Sequence, residues 1–241
     1  MSVPTRADRR SDLDDLETEA PAQARPINPP LLTISILAAV AAAAIAIYVS
    51  GHHLISQDAA VEDWVQSVNW GPLALTFSVF SFIGDAKGAV LEAVVFVAVL
   101  IFNRRAWLLA AGASLTVGWY LLMNHLVLRP RPTPIEVLHV TEHPGGSSFP
   151  SGHTMFIVTI VTVLMLCLGR RFLPRSGQVI GWCLAALIVL GNAISRMYVG
   201  AHWPTDVLAG ILIAVAWLCF WVSVRRVSAR ALPVEARQLA R

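Results

Sequence analysis

Charge is what this sequence lacks. Charged residues make up 14% of its 241 residues, against 56% hydrophobic ones. A soluble domain usually carries roughly 25% charged residues, so an ordinary water-facing globule is excluded. Cysteine is scarce as well. Cys167, Cys183 and Cys219 all fall inside apolar runs, which excludes a disulfide framework and a cysteine metal centre. The formal net charge is only +3, with the basic residues spread along the chain. There is no basic block for a nucleic acid to hold. What the sequence does have is long apolar runs, and these predict an all-α, polytopic bundle that uses the bilayer as solvent.

Residues 1–27 mix Arg6, Arg9 and Arg10 with Asp8, Asp12, Asp14, Asp15, Glu17, Glu19 and prolines. No apolar periodicity appears, so a disordered tail is expected up to residue 30. Leu31 to Ser50 is uncharged and meets the length of about 20 residues that a spanning helix needs. A cleaved signal peptide is the alternative, but its apolar core is usually only about 7–15 residues and lies nearer the start. Over 57–72, Val61, Trp64, Val65 and Val68 recur at helical spacing between Asp58, Glu62, Asp63 and Gln66. This predicts an amphipathic helix on the membrane surface, which 73–82 continue up to the break at Gly84-Asp85. Further spans are expected at about 87–103, 106–128, 153–169, 178–194 and 204–224, six in all with the first. The membrane domain is then 31–226, with a C-terminal tail over 227–241. Glu92 lies inside a span, where an acid is either a functional group or a structural hydrogen-bonding partner.

Six spans place both termini on one side. That side holds all of the 18 basic residues except Lys87, Arg129, Arg131 and Arg196. The positive-inside rule makes it the cytoplasm. A plasma membrane is expected, with the loop 129–152 outside. Three of the four exceptions belong to stretches with chemistry of their own.

In Arg129-Pro130-Arg131-Pro132 each arginine precedes a proline, so its backbone is held extended. Paired guanidinium groups suit a phosphate, although lipid headgroups alone would also attract them. Pro150-Ser151-Gly152-His153 precedes an apolar span. Ser151 suits an N-cap, and free N–H groups at a helix start also form an anion site. Gly152 permits close approach, and His153 would stand beside the anion as a proton donor. In the third stretch, Ser195 to Asp206, Pro204 opens a helix and Asp206 falls in its first turn, where an acid is favoured anyway. Asp206 is also four residues after His202. A carboxylate on one ring nitrogen would fix the tautomer and leave the other as a nucleophile. Arg196 would neutralise charge on a transferring phosphoryl group.

These stretches resemble the three-part signature of the type 2 phosphatidic acid phosphatase superfamily, in its membrane branch. The signature runs Lys, six residues, Arg-Pro; then Pro-Ser-Gly-His; then Ser-Arg, five residues, His, three residues, Asp. Arg131-Pro132, residues 150–153, and Ser195-Arg196 with His202 and Asp206 match it. The resemblance implies that His202 becomes phosphohistidine, that Asp206 orients it, and that His153 protonates the leaving oxygen. Arg131, Arg196, Ser151 and the Gly152 N–H would hold the phosphate. It implies no metal and no cofactor. Soluble vanadium-dependent haloperoxidases share the signature, and the spans argue against that branch. The usual lysine is here Asn124, an amide that donates hydrogen bonds without charge; Arg129 or His125 would compensate.

The expected activity is hydrolysis of a lipid phosphate or diphosphate, such as a polyprenyl diphosphate, a phosphatidic acid or a phosphatidylglycerophosphate. The other class is a lipid-phosphate binding or transport protein that keeps the anion site without turnover. Expected partners are the lipid substrate and the bilayer, with no nucleic acid. The oligomeric state is left open.

Overall fold

Pro29-Pro30 opens the first helix, where a missing N–H costs nothing, and an Ala/Ile/Leu run carries it to Gly51 as α1 (Pro29–Gly51). The computed structural model describes residues 26–84 and 86–232, with side chains described outside 81–89. Most of the tail expected over 1–30 lies outside the described residues. After α1 come α2 (Ser56–Ser67), α3 (Ala74–Gly84) and α4 (Ala86–Asn103). Then follow α5 (Trp107–Ser114), α6 (Thr116–Leu126) and α7 (Gly152–Val163). A π-helical turn carries α7 on to Phe172. The chain ends in α8 (Arg175–Tyr198), α9 (Pro204–Ser223) and α10 (Arg225–Ala231).

Among the described residues there are 5 helical stretches long and apolar enough to cross a membrane. The expected spans 87–103 and 106–128 fall into one of them, Val90–Leu126. Asn103 leaves helical geometry there, at φ −148° and ψ 62°. Beyond it the chain doubles back, which brings Glu92 and Ser114 to the same recess. That recess is lined by Glu92, Ser114 and Thr159 and is separate from the histidine site.

The α7 stretch is the central one, with 61% of its apolar window inside the protein. Helix α1 packs along α9. Small residues Ala38 and Ala42 are buried and let the backbones approach, and the Ser35 hydroxyl donates to the Ala216 carbonyl at 2.7 Å. The ends of α1 and α9 are tied where Asn28 N–H meets the Ser223 carbonyl (2.8 Å) and Arg225 N–H meets the Pro26 carbonyl (2.9 Å). The expected tail from 227 in fact begins inside α10, whose Val227 and Ala231 are buried in the main apolar cluster.

Helix α2 exists where an amphipathic helix is expected, but its polar face turns inward. Asp58, Glu62 and Gln66, spaced i, i+4 and i+8, are buried, while Val61 and Trp64 are exposed. Of the inward acids, Asp58 meets the buried Arg129 at 2.7 Å.

Candidate active site

Three chain segments meet at one end of the bundle: the residues after α6, the loop into α7, and the link from α8 to α9. Backbone hydrogen bonds lace them together. Ser148 N–H donates to the Arg129 carbonyl at 2.8 Å and Ser151 N–H to the Asp206 carbonyl at 3.0 Å. The Trp203 indole donates to the Pro130 carbonyl at 3.0 Å. Gly200 makes the tight turn after α8 with φ +72°, and a Cβ there would lie 2.8 Å from the His139 carbonyl oxygen. Only glycine fits both demands.

His202 is the centre. It is 4% exposed. Its Nδ1 lies 2.7 Å from the Ser148 carbonyl oxygen, which can only accept, so the proton sits on Nδ1 and Nε2 keeps its lone pair. Nε2 lies 3.3 Å from Arg131 Nη1. Burial first, then the charges of Arg131, His153 and Arg196, hold the ring well below the usual histidine range, against the Ser148 bond. The imidazole is neutral at neutral pH, as a nucleophile must be.

Asp206 does not touch that ring, contrary to the reading from its spacing. A separation of four residues makes neighbours only inside a helix, and His202 precedes α9. Asp206 is instead the third residue of α9, where its carboxylate accepts the Trp203 N–H at 3.0 Å. It also accepts the Ser148 hydroxyl and Arg129 Nη1 at 2.6 Å. Its hold on His202 runs through Ser148, whose hydroxyl binds the acid and whose carbonyl binds the ring.

Arg129 is placed differently from the expected phosphate contact. It is fully buried between two carboxylates, with Nη2 2.7 Å from Asp58 and Nη1 2.6 Å from Asp206. Nη1 also donates to the Thr205 hydroxyl at 2.7 Å and Nε to the His53 carbonyl at 3.1 Å. All three nitrogens are engaged, leaving no fork for a phosphate. Asn124 likewise faces the loop, donating to the Ser147 carbonyl (2.9 Å) and the Phe149 carbonyl (3.3 Å).

Arg131 does reach the histidine. Its Nη1 donates to the Ala201 carbonyl at 2.7 Å and its Nη2 to the Ser147 carbonyl at 3.0 Å. The buried Nε–H has no protein acceptor, an open donor beside Nε2. Arg196, at the end of α8, is buried and paired with Glu142 at 3.0 Å, and its Nη2 donates to the Ser195 hydroxyl at 3.0 Å. Ser151 occupies the N-cap position of α7, but its hydroxyl meets the Thr154 hydroxyl at 3.0 Å rather than a backbone N–H. Gly152 is required sterically as well, since a Cβ would lie 2.8 Å from the Tyr120 ring. His153 follows in the first turn of α7, close enough for its charge to act on His202.

Sequence reading did not assign Ser148, Thr205, Asp58, Glu62 or Gln66 to the site. The inward face of α2 carries the last three. Asp58 accepts Arg129 and the Thr205 N–H and hydroxyl. The Gln66 amide donates to the His139 carbonyl at 2.9 Å and the Met197 carbonyl at 3.0 Å. Glu62 sits between them with neither oxygen bonded. Burial, helped by Asp206, Asp58 and Asp63 and opposed by Arg129, pushes its carboxyl up to about 9 from 4.5. The folded chain therefore keeps a proton that the unfolded chain releases above about 4.5. Stability from this group is fully present below that pH and falls as pH rises toward 9. Glu62→Gln is expected to flatten that decline and raise the melting temperature at alkaline pH in detergent. Parallel pH curves for the two proteins would show Glu62 ionising without cost.

The fold and site together define a membrane bundle with a buried histidine and two arginines at one end. The chain belongs to the PAP2 superfamily, whose family model matches residues 105–230. It is 33% identical over 112 residues to decaprenylphosphoryl-5-phosphoribose phosphatase of Mycobacterium tuberculosis, covering 46% of this chain and 56% of that protein. It is 31% identical over 131 residues to undecaprenyl-diphosphatase BcrC of Bacillus subtilis, covering 51% and 62%. The matched stretch thus spans less than two thirds of either relative. The crystal structure of a transmembrane PAP2-type phosphatidylglycerolphosphate phosphatase from Bacillus subtilis shares the fold. Its TM-score is 0.63 at 21% identity, covering 77% of this chain and 92% of that one.

Proposed function

We propose that this protein is a metal-independent lipid phosphate or diphosphate phosphatase working through a phosphohistidine. The observation that carries the reading is His202 itself. It is a buried neutral imidazole, its Nδ1–H held by the Ser148 carbonyl and its Nε2 beside Arg131. In this scheme Nε2 attacks phosphorus, and the bond to the leaving oxygen breaks as His153 gives that oxygen a proton. Water then gives a proton to the neutral His153 as it attacks the phosphohistidine, the P–N bond breaks, and inorganic phosphate and free His202 are released. Arg131 and Arg196 balance the phosphoryl charge, with Ser151 and the Gly152 N–H at the helix start. A bound phosphate would replace the Glu142 carboxylate on Arg196 and take up the open Nε–H of Arg131.

A polyprenyl-linked phosphate is the favoured substrate class, in line with the two relatives named above. We further propose six crossings, with the two arms of 90–126 each counted as one, and α2 at the interface. The arginine-rich end then faces the cytoplasm and the histidines face outward from the plasma membrane. The test is phosphate release from a short-chain lipid phosphate with EDTA present, first in detergent and then with sealed cells. Release in both is expected. Activity only after lysis would reverse the orientation. Tight substrate binding with no release from any lipid phosphate would favour the binding or transport reading.

A further inference from the structure

A second arrangement of charge occupies the opposite end of the bundle. The α7 stretch runs from the histidine site to Phe172 over 21 residues, which places its two ends about 30 Å apart at 1.5 Å per residue. At the far end, the break after Asn103, the end of the α7 stretch and helix α10 surround a cavity of 740 Å³. Arg104, Arg105, Arg171 and Arg230 line it, with Trp107 and Asn103. A neighbouring hollow of 390 Å³ shares Arg104, Arg105 and Arg171 and opens beside Ile101 and Phe102. The floor is fixed. Asn103 is buried, and its amide donates to the Cys167 carbonyl at 2.8 Å and the Ala231 carbonyl at 3.3 Å.

Among the described residues no carboxylate lines either hollow. Four guanidinium groups that share a concave site without a counter-ion repel one another, and an anion relieves that repulsion. Positive-inside bias explains arginines at this end but not their convergence on one pocket. The rim says which anion. Ile101, Phe102 and Trp107 are all exposed, at 69%, 57% and 47%, and Trp favours the boundary of the bilayer. A free inorganic anion would use the arginines and gain nothing from this apolar lip. A phospholipid uses both, with its phosphodiester on the guanidinium forks and its chains along the lip.

We propose that this pocket binds the headgroup of an anionic phospholipid from the leaflet at that end, as a site separate from the histidine site. The proposal rests on the membrane position of the chain and not on its turnover. The experiment titrates phosphatidylglycerol and phosphatidylcholine against the full-length protein in detergent, with bound lipid counted by native mass spectrometry. Phosphatidylglycerol should bind more tightly. Each arginine near a membrane surface contributes about fivefold in affinity, so Arg104→Gln/Arg105→Gln/Arg230→Gln should weaken phosphatidylglycerol roughly 100-fold, while the matching Lys variant keeps most of it. If the triple Gln variant does not fold, Arg230→Gln alone should still show its fivefold loss. His202→Ala should leave this binding unchanged. Equal affinity for both lipids, or a triple variant that binds like the wild type, would overturn the proposal. Full competition by inorganic phosphate would assign the pocket to a soluble anion. Phosphatidylglycerol binding that needs prior removal of residues 1–25 would assign it to the chain's own acidic segment.

Discussion

His202→Ala is expected to lower release of phosphate from a lipid phosphate by roughly 10⁴–10⁶-fold, the scale on which enzymes lose rate when a covalent nucleophile is removed. The loss should be the same on nitrophenyl phosphate, because no leaving group restores the missing attacker. His153→Ala is the contrast. A lipid alkoxide leaves poorly and needs a proton, and general acid catalysis contributes about 10²–10⁴-fold. A nitrophenolate is stable without one, so His153→Ala should lose far less on that substrate. Acid quenching should trap an acid-labile phosphoenzyme in the wild type and not in His202→Ala. A phosphoenzyme that survives in His202→Ala would move the nucleophile elsewhere. The geometry adds a condition on Asp206. Because His202 Nδ1 bonds the Ser148 carbonyl and not the carboxylate, Asp206→Asn should leave the proton on Nδ1. Nitrogen NMR of the ring would then show the same tautomer in both proteins.

The residues proposed to carry the chemistry were legible because their types and spacings suit a phosphate. Arg131 and His202 meet at 3.3 Å. What the sequence did not show was how they are held. The step from His202 to Asp206 looks helical on paper, but Pro204 starts the helix only after the histidine, so the pair never comes face to face. Ser148 was invisible because the link to the ring uses its backbone carbonyl, and every residue has one. Arg129 and Arg131 look equivalent in Arg-Pro-Arg-Pro. Residues i and i+2 of a regular extended chain share a face, yet Arg129 turns to Asp58 and Asp206 and Arg131 to His202. Asp58, Glu62 and Gln66 did leave a signal, a polar stripe at i, i+4 and i+8, but a polar stripe ordinarily faces water. The partner of Asp58 lies 71 residues away in the chain, and no local pattern announces it.

Arg129 is where that difference has its largest consequence for stability. Arg129→Met removes the cation between Asp58 and Asp206, both buried. Breaking a buried ion pair from one side costs about 3–5 kcal/mol, since the remaining charge is left in a poor solvent. Here two carboxylates are left, with a third carboxyl at Glu62 close by. The expected result is a large fall in melting temperature together with lost activity. A phosphate-gripping arginine behaves otherwise: its removal lowers activity and leaves the empty protein as stable or more so. Asp58→Asn sharpens the test. On its own it weakens one side of the network, but beside Arg129→Met it removes one of the two uncompensated charges. The double variant should therefore be more stable than the sum of the two single losses allows, a coupling that only contacting groups show. Arg129→Lys should fall between, because an ammonium is a point charge without the planar fork that reaches both carboxylates. If Arg129→Met melts with the wild type while activity vanishes, Arg129 turns toward the phosphate and the reading from sequence stands.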